Sequence, residues 1–153
     1  MVAVDVLKYA VECINAVKEK YGKKGGVASK FRSRVREFAE SLYYTDLTFL
    51  LTYIASKSGE KYLVGELIQK DPMKIVEEIK KMEGGEEEKS YGIYGTFLSK
   101  YIHSLDVFEK STINERLGDF LLKTREKSFI LTPYVIELGI WLKRLGEAVL
   151  EAE

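Results

Sequence analysis

Residues 30–59 read KFRSRVREFAESLYYTDLTFLLTYIASKSG. Phe31, Val35, Phe38 and Leu42 recur at offsets of four, three and four. That is the period of one helix face, and it predicts a helix over Lys30–Tyr43. Tyr43-Tyr44-Thr45-Asp46 interrupts it, and Thr45 or Asp46 can cap a second helix running to about Ser56. Leu47, Phe49, Leu50, Leu51, Tyr53 and Ile54 cover most of that second helix's circumference. A helix apolar nearly all round is expected to be central and buried.

The same period extends outward in both directions, and no segment alternates with period two. Upstream, Leu7, Ala10, Ile14, Val17 and Tyr21 form one stripe of a helix from Val2 to Lys20. A basic loop over 21–29 follows, broken by Gly22, Gly25 and Gly26. Downstream of Ser58-Gly59, a short helix is expected to carry Leu63, Val64, Leu67 and Ile68. Asp71 caps the next helix, with Pro72 at its first position and Ile75, Val76, Ile79 and Met82 inward. Residues 83–89, EGGEEEK, read as a polar acidic linker, expected to be mobile. A helix bearing Tyr91, Tyr94, Leu98, Tyr101 and Leu105 comes after it. Thr112 and Glu115 make a capping box before Ile113, Leu117, Phe120 and Leu121. Thr132-Pro133 is expected to start the last helix, with Tyr134, Leu138, Trp141, Leu145 and Val149 on one side. The expectation is an all-α fold over 1–153, a single-domain bundle of about six to eight helices.

Composition narrows the function. A single cysteine, Cys13, cannot form an internal disulfide, which fits a reducing, cytoplasmic setting. The N-terminal residues lack a basic segment ahead of an apolar one, so no signal peptide is expected, and no apolar run is long enough to span a membrane. Asn15, Asn114 and Gln69 are the only amides, beside abundant Lys and Glu, a thermophilic leaning. One histidine and one cysteine cannot supply a structural zinc site. No glycine-rich loop ends in Gly-Lys-Ser/Thr, and Glu86, Glu87 and Glu88 lack the spacing of a calcium loop. His103 reads as a surface or core-edge side chain and Cys13 as a small buried one. Gly92-Ile93-Tyr94-Gly95 has the spacing of a nucleic-acid clamp, but that clamp belongs to a fold with a sheet. The chain is therefore expected to be no enzyme and to need no metal or cofactor.

Charge is unevenly spread in a chain with 24 basic and 24 acidic residues. Residues 18–36 hold eight Lys or Arg against Glu19 alone, a net +7. Residues 77–88 hold six Glu and two Lys, and Glu147, Glu151 and Glu153 close the chain. A basic end and an acidic end suit an anionic ligand or head-to-tail self-association. On a helical wheel Lys30 and Arg34 border the apolar face of their helix on one edge, and Arg32 and Arg36 border it on the other. Two readings of these residues stand side by side. They contact nucleic-acid phosphate together with Lys23 and Lys24, or they pair with acids such as Glu77, Glu78 or 86–88. Of the ten tyrosines, Tyr91, Tyr94 and Tyr101 fit the core, and Tyr43 and Tyr44 are the expected exposed pair.

Two stretches resemble a known family. One is FRSRVREFAESLYYTDLTFLLTYIASKSGEKYLVGELI, Phe31 to Ile68. The other is LTPYVIELGIWLKRLGEAVL, with Trp141-Leu142-Lys143-Arg144 nine residues after Thr132. They are similar to the small α-helical subunit of the type III-B CRISPR effector, the Cmr complex. Tyr43-Tyr44-Thr45-Asp46 replaces that family's Asn-Gly-Leu-Gly-like turn, and Tyr134 stands where it has a glutamate. The resemblance implies a non-catalytic subunit stacked along a guide–target duplex, beside other subunits of the effector complex. It implies that Lys23, Lys24, Lys30, Arg32, Arg34 and Arg36 contact the backbone of guide RNA and target RNA without reading sequence. Lys143 and Arg144 join them through the family motif, and Trp141 is implied to be a core anchor.

Overall fold

The computed structural model describes residues 5–106, 108 and 115–153. Among them run six α-helices: α1 (Val6–Tyr21), α2 (Gly26–Tyr44), α3 (Leu47–Ser58), α4 (Pro72–Lys81), α5 (Glu86–Ser104) and α6 (Leu117–Val149). Two 3-10 turns, Glu60–Tyr62 and Leu67–Gln69, stand where a short helix was expected. Their Leu63, Val64, Leu67 and Ile68 are buried all the same. No strand is present among the described residues, so the all-α expectation holds. No helix among them is long and apolar enough to cross a membrane.

Caps set the helix starts. Asp5, Asp46 and Asp71 each accept a hydrogen bond from the backbone N–H three residues on, at Lys8, Phe49 and Lys74. Each satisfies one of the orphan donors of a first turn. The expected start of α1 at Val2 and the expected Thr112 cap fall outside the described residues.

Four expectations are corrected. The basic loop shrinks to residues 22–25, because α2 begins at Gly26 and the Gly25 N–H donates to Ser29 Oγ at 2.6 Å. The acidic linker shrinks as well: Glu86, Glu87 and Glu88 form the first turn of α5, where carboxylates favour the positive end of the helix dipole. Pro133 does not start a helix but lies inside α6. Proline removes one backbone bond there, while Leu131 and Val135 on either side stay buried.

The last correction concerns the centre of the bundle, which is α5 rather than α3. In α3, Phe49 is exposed. In α5 every residue from Ser90 to Ser99 is buried. α5 packs against α2, α3 and α4, while α6 lies along α1, α2 and α3. Small residues admit the neighbours. A Cβ at Gly92 would lie 2.5 to 2.8 Å from three atoms of the Tyr62 ring, and one at Gly95 would lie 2.8 Å from Ile54 Cγ2. Thr96 Oγ1 donates to the Tyr62 carbonyl at 2.6 Å, and Ser99 Oγ donates to the Leu63 carbonyl. The Gly92–Gly95 pair is thus a close-packing device.

Candidate nucleic-acid interface

The apolar face of α2 turns Val27, Phe31, Val35, Phe38 and Leu42 into the core. That leaves the arginines on its two edges, and the edges meet different neighbours. Arg34 turns toward α5. It donates to the Tyr91 hydroxyl at 2.9 Å and to Glu37 Oε2 at 3.1 Å, and its guanidinium lies 4.2 Å from the Tyr91 ring centre. Burial pushes the Tyr91 hydroxyl up to about 12, so it meets the cation as a neutral phenol. Stacked and paired, Arg34 is only 14% exposed.

Arg32 and Arg36 turn the other way, toward the C-terminal end of α6. Arg32 Nε donates to the Leu150 carbonyl at 3.1 Å, one of the orphan acceptors at a helix C-terminus. Arg36 Nε meets Glu147 Oε2 at 3.1 Å. Arg144 reaches the other oxygen of Glu147 at 3.9 Å. Lys143 sits one turn before Glu147 and has no ion pair among the described residues. The remaining cations hold the chain beyond α6. Lys30 Nζ lies 3.4 Å from Glu153 and Lys23 Nζ 4.0 Å from Glu151. The Lys23 carbonyl accepts from the Glu151 N–H at 2.6 Å, and Ser29 Oγ donates to the Glu151 carbonyl at 2.9 Å. Lys24 lines an adjoining cleft with Tyr21, Glu86 and Lys89.

The fold therefore gathers six of the eight candidate cations at one edge of the bundle. Lys23, Lys30, Arg32, Arg36, Lys143 and Arg144 surround Glu147, Glu151 and Glu153, a surplus of three positive charges. Lys24 adjoins them and Arg34 does not. The acids at this edge are the C-terminal glutamates, while Arg34 pairs with Glu37 and Glu86 lines the cleft beside Lys24. The basic and acidic ends of the chain thus meet within one molecule. Sequence spacing could not have revealed this, because the partners lie more than a hundred residues apart. The pairs are open to solvent: Arg36 is 54% exposed, Lys23 59% and Arg144 68%. Exposed pairs of this kind contribute about 0–1 kcal/mol each, so a phosphate can compete for the cation.

His103 and Cys13 are held within the fold. His103 Nδ1 donates to the Ser99 carbonyl at 2.8 Å, and its Nε2 lies 2.9 Å from Glu115 Oε1. It stacks on Phe120 with ring centres 4.7 Å apart. Burial pushes the Glu115 carboxyl up, but hydrogen bonds from Lys123 and His103 outweigh it and hold the carboxyl below its ordinary value. Cys13 is fully buried, and burial pushes its thiol up. Tyr91, Tyr94 and Tyr101 are core residues, Trp141 packs partly buried against the core, and Tyr43 and Tyr44 are exposed.

A family model described as CRISPR-associated protein (Cas_Cmr5) matches residues 3–149. The CRISPR system CMR subunit Cmr5 of Saccharolobus solfataricus is 27% identical over 151 residues, covering 94% of this chain and 92% of that protein. A chain in the cryo-EM structure of the type III-B Cmr-beta complex bound to non-cognate target RNA is similar in fold. Its TM-score is 0.75 at 23% identity, with 98% of this chain and 99% of that one covered.

Proposed function

This chain belongs to the CRISPR-associated Cas_Cmr5 family, and from that premise we propose that it is a non-catalytic small subunit of a type III RNA-guided effector complex. In this reading copies of the chain stack beside the guide–target duplex and contact neighbouring subunits and the nucleic-acid backbone. The observation that carries the backbone contact is the cationic edge between α2 and the end of α6. Six cations there outnumber three glutamates. Arginine forks suit phosphate oxygens, and a guide strand that reads sequence by base pairing leaves the protein only backbone to hold. Arg36, Lys143 and Arg144, with Lys23 and Lys24, are the phosphate-contacting residues. Lys30 and Arg32 anchor the last residues of the chain, and Arg34 serves the core.

The test is target-RNA binding by the assembled complex across a salt series. The triple variant Arg36→Glu, Lys143→Glu, Arg144→Glu is expected to weaken binding at least about tenfold and to flatten the dependence on salt, since each lost phosphate contact lowers the slope by about one. Unchanged affinity and slope in a complex that retains the variant would remove these residues from the interface. If the wild-type chain, purified from its host, brings down no subunits and no guide RNA, the subunit role itself fails.

A further inference from the structure

α6 carries two apolar stripes on opposite sides. At about 100° per residue, Phe120, Leu131, Val135, Leu138 and Leu142 fall together and are buried. Leu122, Phe129, Pro133, Ile136 and Ile140 also fall together, within roughly 60° of arc on the far side. Their spacing is 7, 4, 3 and 4 residues, the repeat with which one helix seats against another. Ile136 packs partly against the core, and among the described residues nothing covers the rest of this stripe. Phe129 is 95% exposed, Leu122 56% and Ile140 38%, with Ile130 beside them at 44%. An apolar row of this length is a protein-contact signature rather than ordinary surface. Pro133 adds a polar feature, since it cannot donate the backbone bond that the Phe129 carbonyl would otherwise receive.

Charge chooses the occupant. Asp119, Glu126 and Glu137 flank the stripe along one edge, with Arg125 on the other, all four exposed, and none of the three acids forms an ion pair among the described residues. Phosphate would be repelled along that acidic edge. An antiparallel second copy would bring its own acidic edge alongside, with Glu126 near the other copy's Glu137. We propose that the outer face of α6, centred on Phe129, docks an amphipathic helix of a different protein chain, one whose apolar seam is flanked by Lys or Arg facing Asp119, Glu126 and Glu137. Apolar anchors set at helical spacing are how a helix is read by a groove or by another helix, and the opposed charges fix its direction.

This inference rests on the subunit role proposed above, and the experiment separates the two. The effector complex is reconstituted from its purified subunits and guide RNA with wild-type chain, with Phe129→Asp, or with the triple reversal Asp119→Lys, Glu126→Lys, Glu137→Lys. In parallel, Phe129→p-benzoylphenylalanine is photo-crosslinked in the assembled complex and the linked peptide is sequenced. Phe129→Asp and the triple reversal are each expected to reduce incorporation at least about tenfold, with the isolated chain still folding cooperatively in both. The crosslink is expected in a helical segment of another protein subunit with basic residues on one flank. Wild-type-level incorporation of Phe129→Asp, or a crosslink to RNA or to a second copy of this chain, overturns the inference and leaves the role standing. Failure of the wild-type chain to incorporate at all overturns the role, and this inference with it.

Discussion

Helices α5 and α6 treat apolar side chains in opposite ways. α5 buries Gly92, Gly95, Ser90, Thr96 and Ser99 alongside its aromatic residues. α6 leaves Phe129 almost wholly in solvent. Hydrophobicity alone would have ranked these positions the other way. What decides burial is whether a neighbour can approach. In α5 the missing Cβ atoms let Tyr62 and Ile54 close in, and two hydroxyls satisfy the carbonyls of the turn packed above them. On the outer face of α6 Phe129, Leu122 and Ile140 have no covering neighbour among the described residues, so large side chains remain exposed.

The contrast can be broken most forcefully at Phe120. It lies nine residues before Phe129 on α6, fully buried against His103 and Phe108. Phe120→Ala is expected to cost about 3–5 kcal/mol, read as a fall in the urea midpoint at constant slope. A loss below about 1 kcal/mol would mean that this half of α6 is not docked in solution. Gly92→Ala is expected to do less, and its sign is the informative part. Alanine in an ordinary helix gains about 1 kcal/mol over glycine. Here the new methyl meets the Tyr62 ring, and overpacking costs about 1–3 kcal/mol, so a net loss is expected. Gly118→Ala, with nothing within 4 Å of its Cβ, is expected to show no loss. A stability gain in Gly92→Ala would refute the close approach that makes α5 central.

Much of this was legible in the sequence. The 3.6-residue period gave the all-helical class, the cap at Asp71 stands where the pattern put it, and of the two candidates Thr45 and Asp46 it is Asp46 that caps α3. Splitting the arginines of α2 between two edges was also readable, because it needs only the angle between successive residues. Where each edge leads was not readable. Arg36 meets Glu147, and no local rule links residues so far apart. The centre of the bundle was missed for a related reason. Counting apolar residues favours α3, whereas α5 is buried on all sides because small residues stand among its apolar ones. Proline misled in α6, since one missing bond is outweighed by packing on both sides of it. The cations were found by composition, but their division into core, anchor and exposed roles depends on tertiary contacts.

The smallest expected effect sharpens the contrast furthest. Phe129→Ala should change the stability of the isolated chain by no more than about 0.5 kcal/mol, as for an exposed side chain with no packing role. A slight gain is expected, because alanine is the better helix former by a few tenths of a kcal/mol. The measurement is the same urea titration, run beside Phe120→Ala. A destabilisation above about 1 kcal/mol would place Phe129 in a packed setting within the lone molecule and dissolve the distinction between the two faces of α6. A null result has a positive meaning. Residue type, helix and solvent are common to both phenylalanines, so a difference of several kcal/mol between them isolates the missing neighbour as the cause. A phenylalanine that contributes nothing to the fold, seated in a row spaced for another helix and edged by unpaired carboxylates, then has its reason outside the chain.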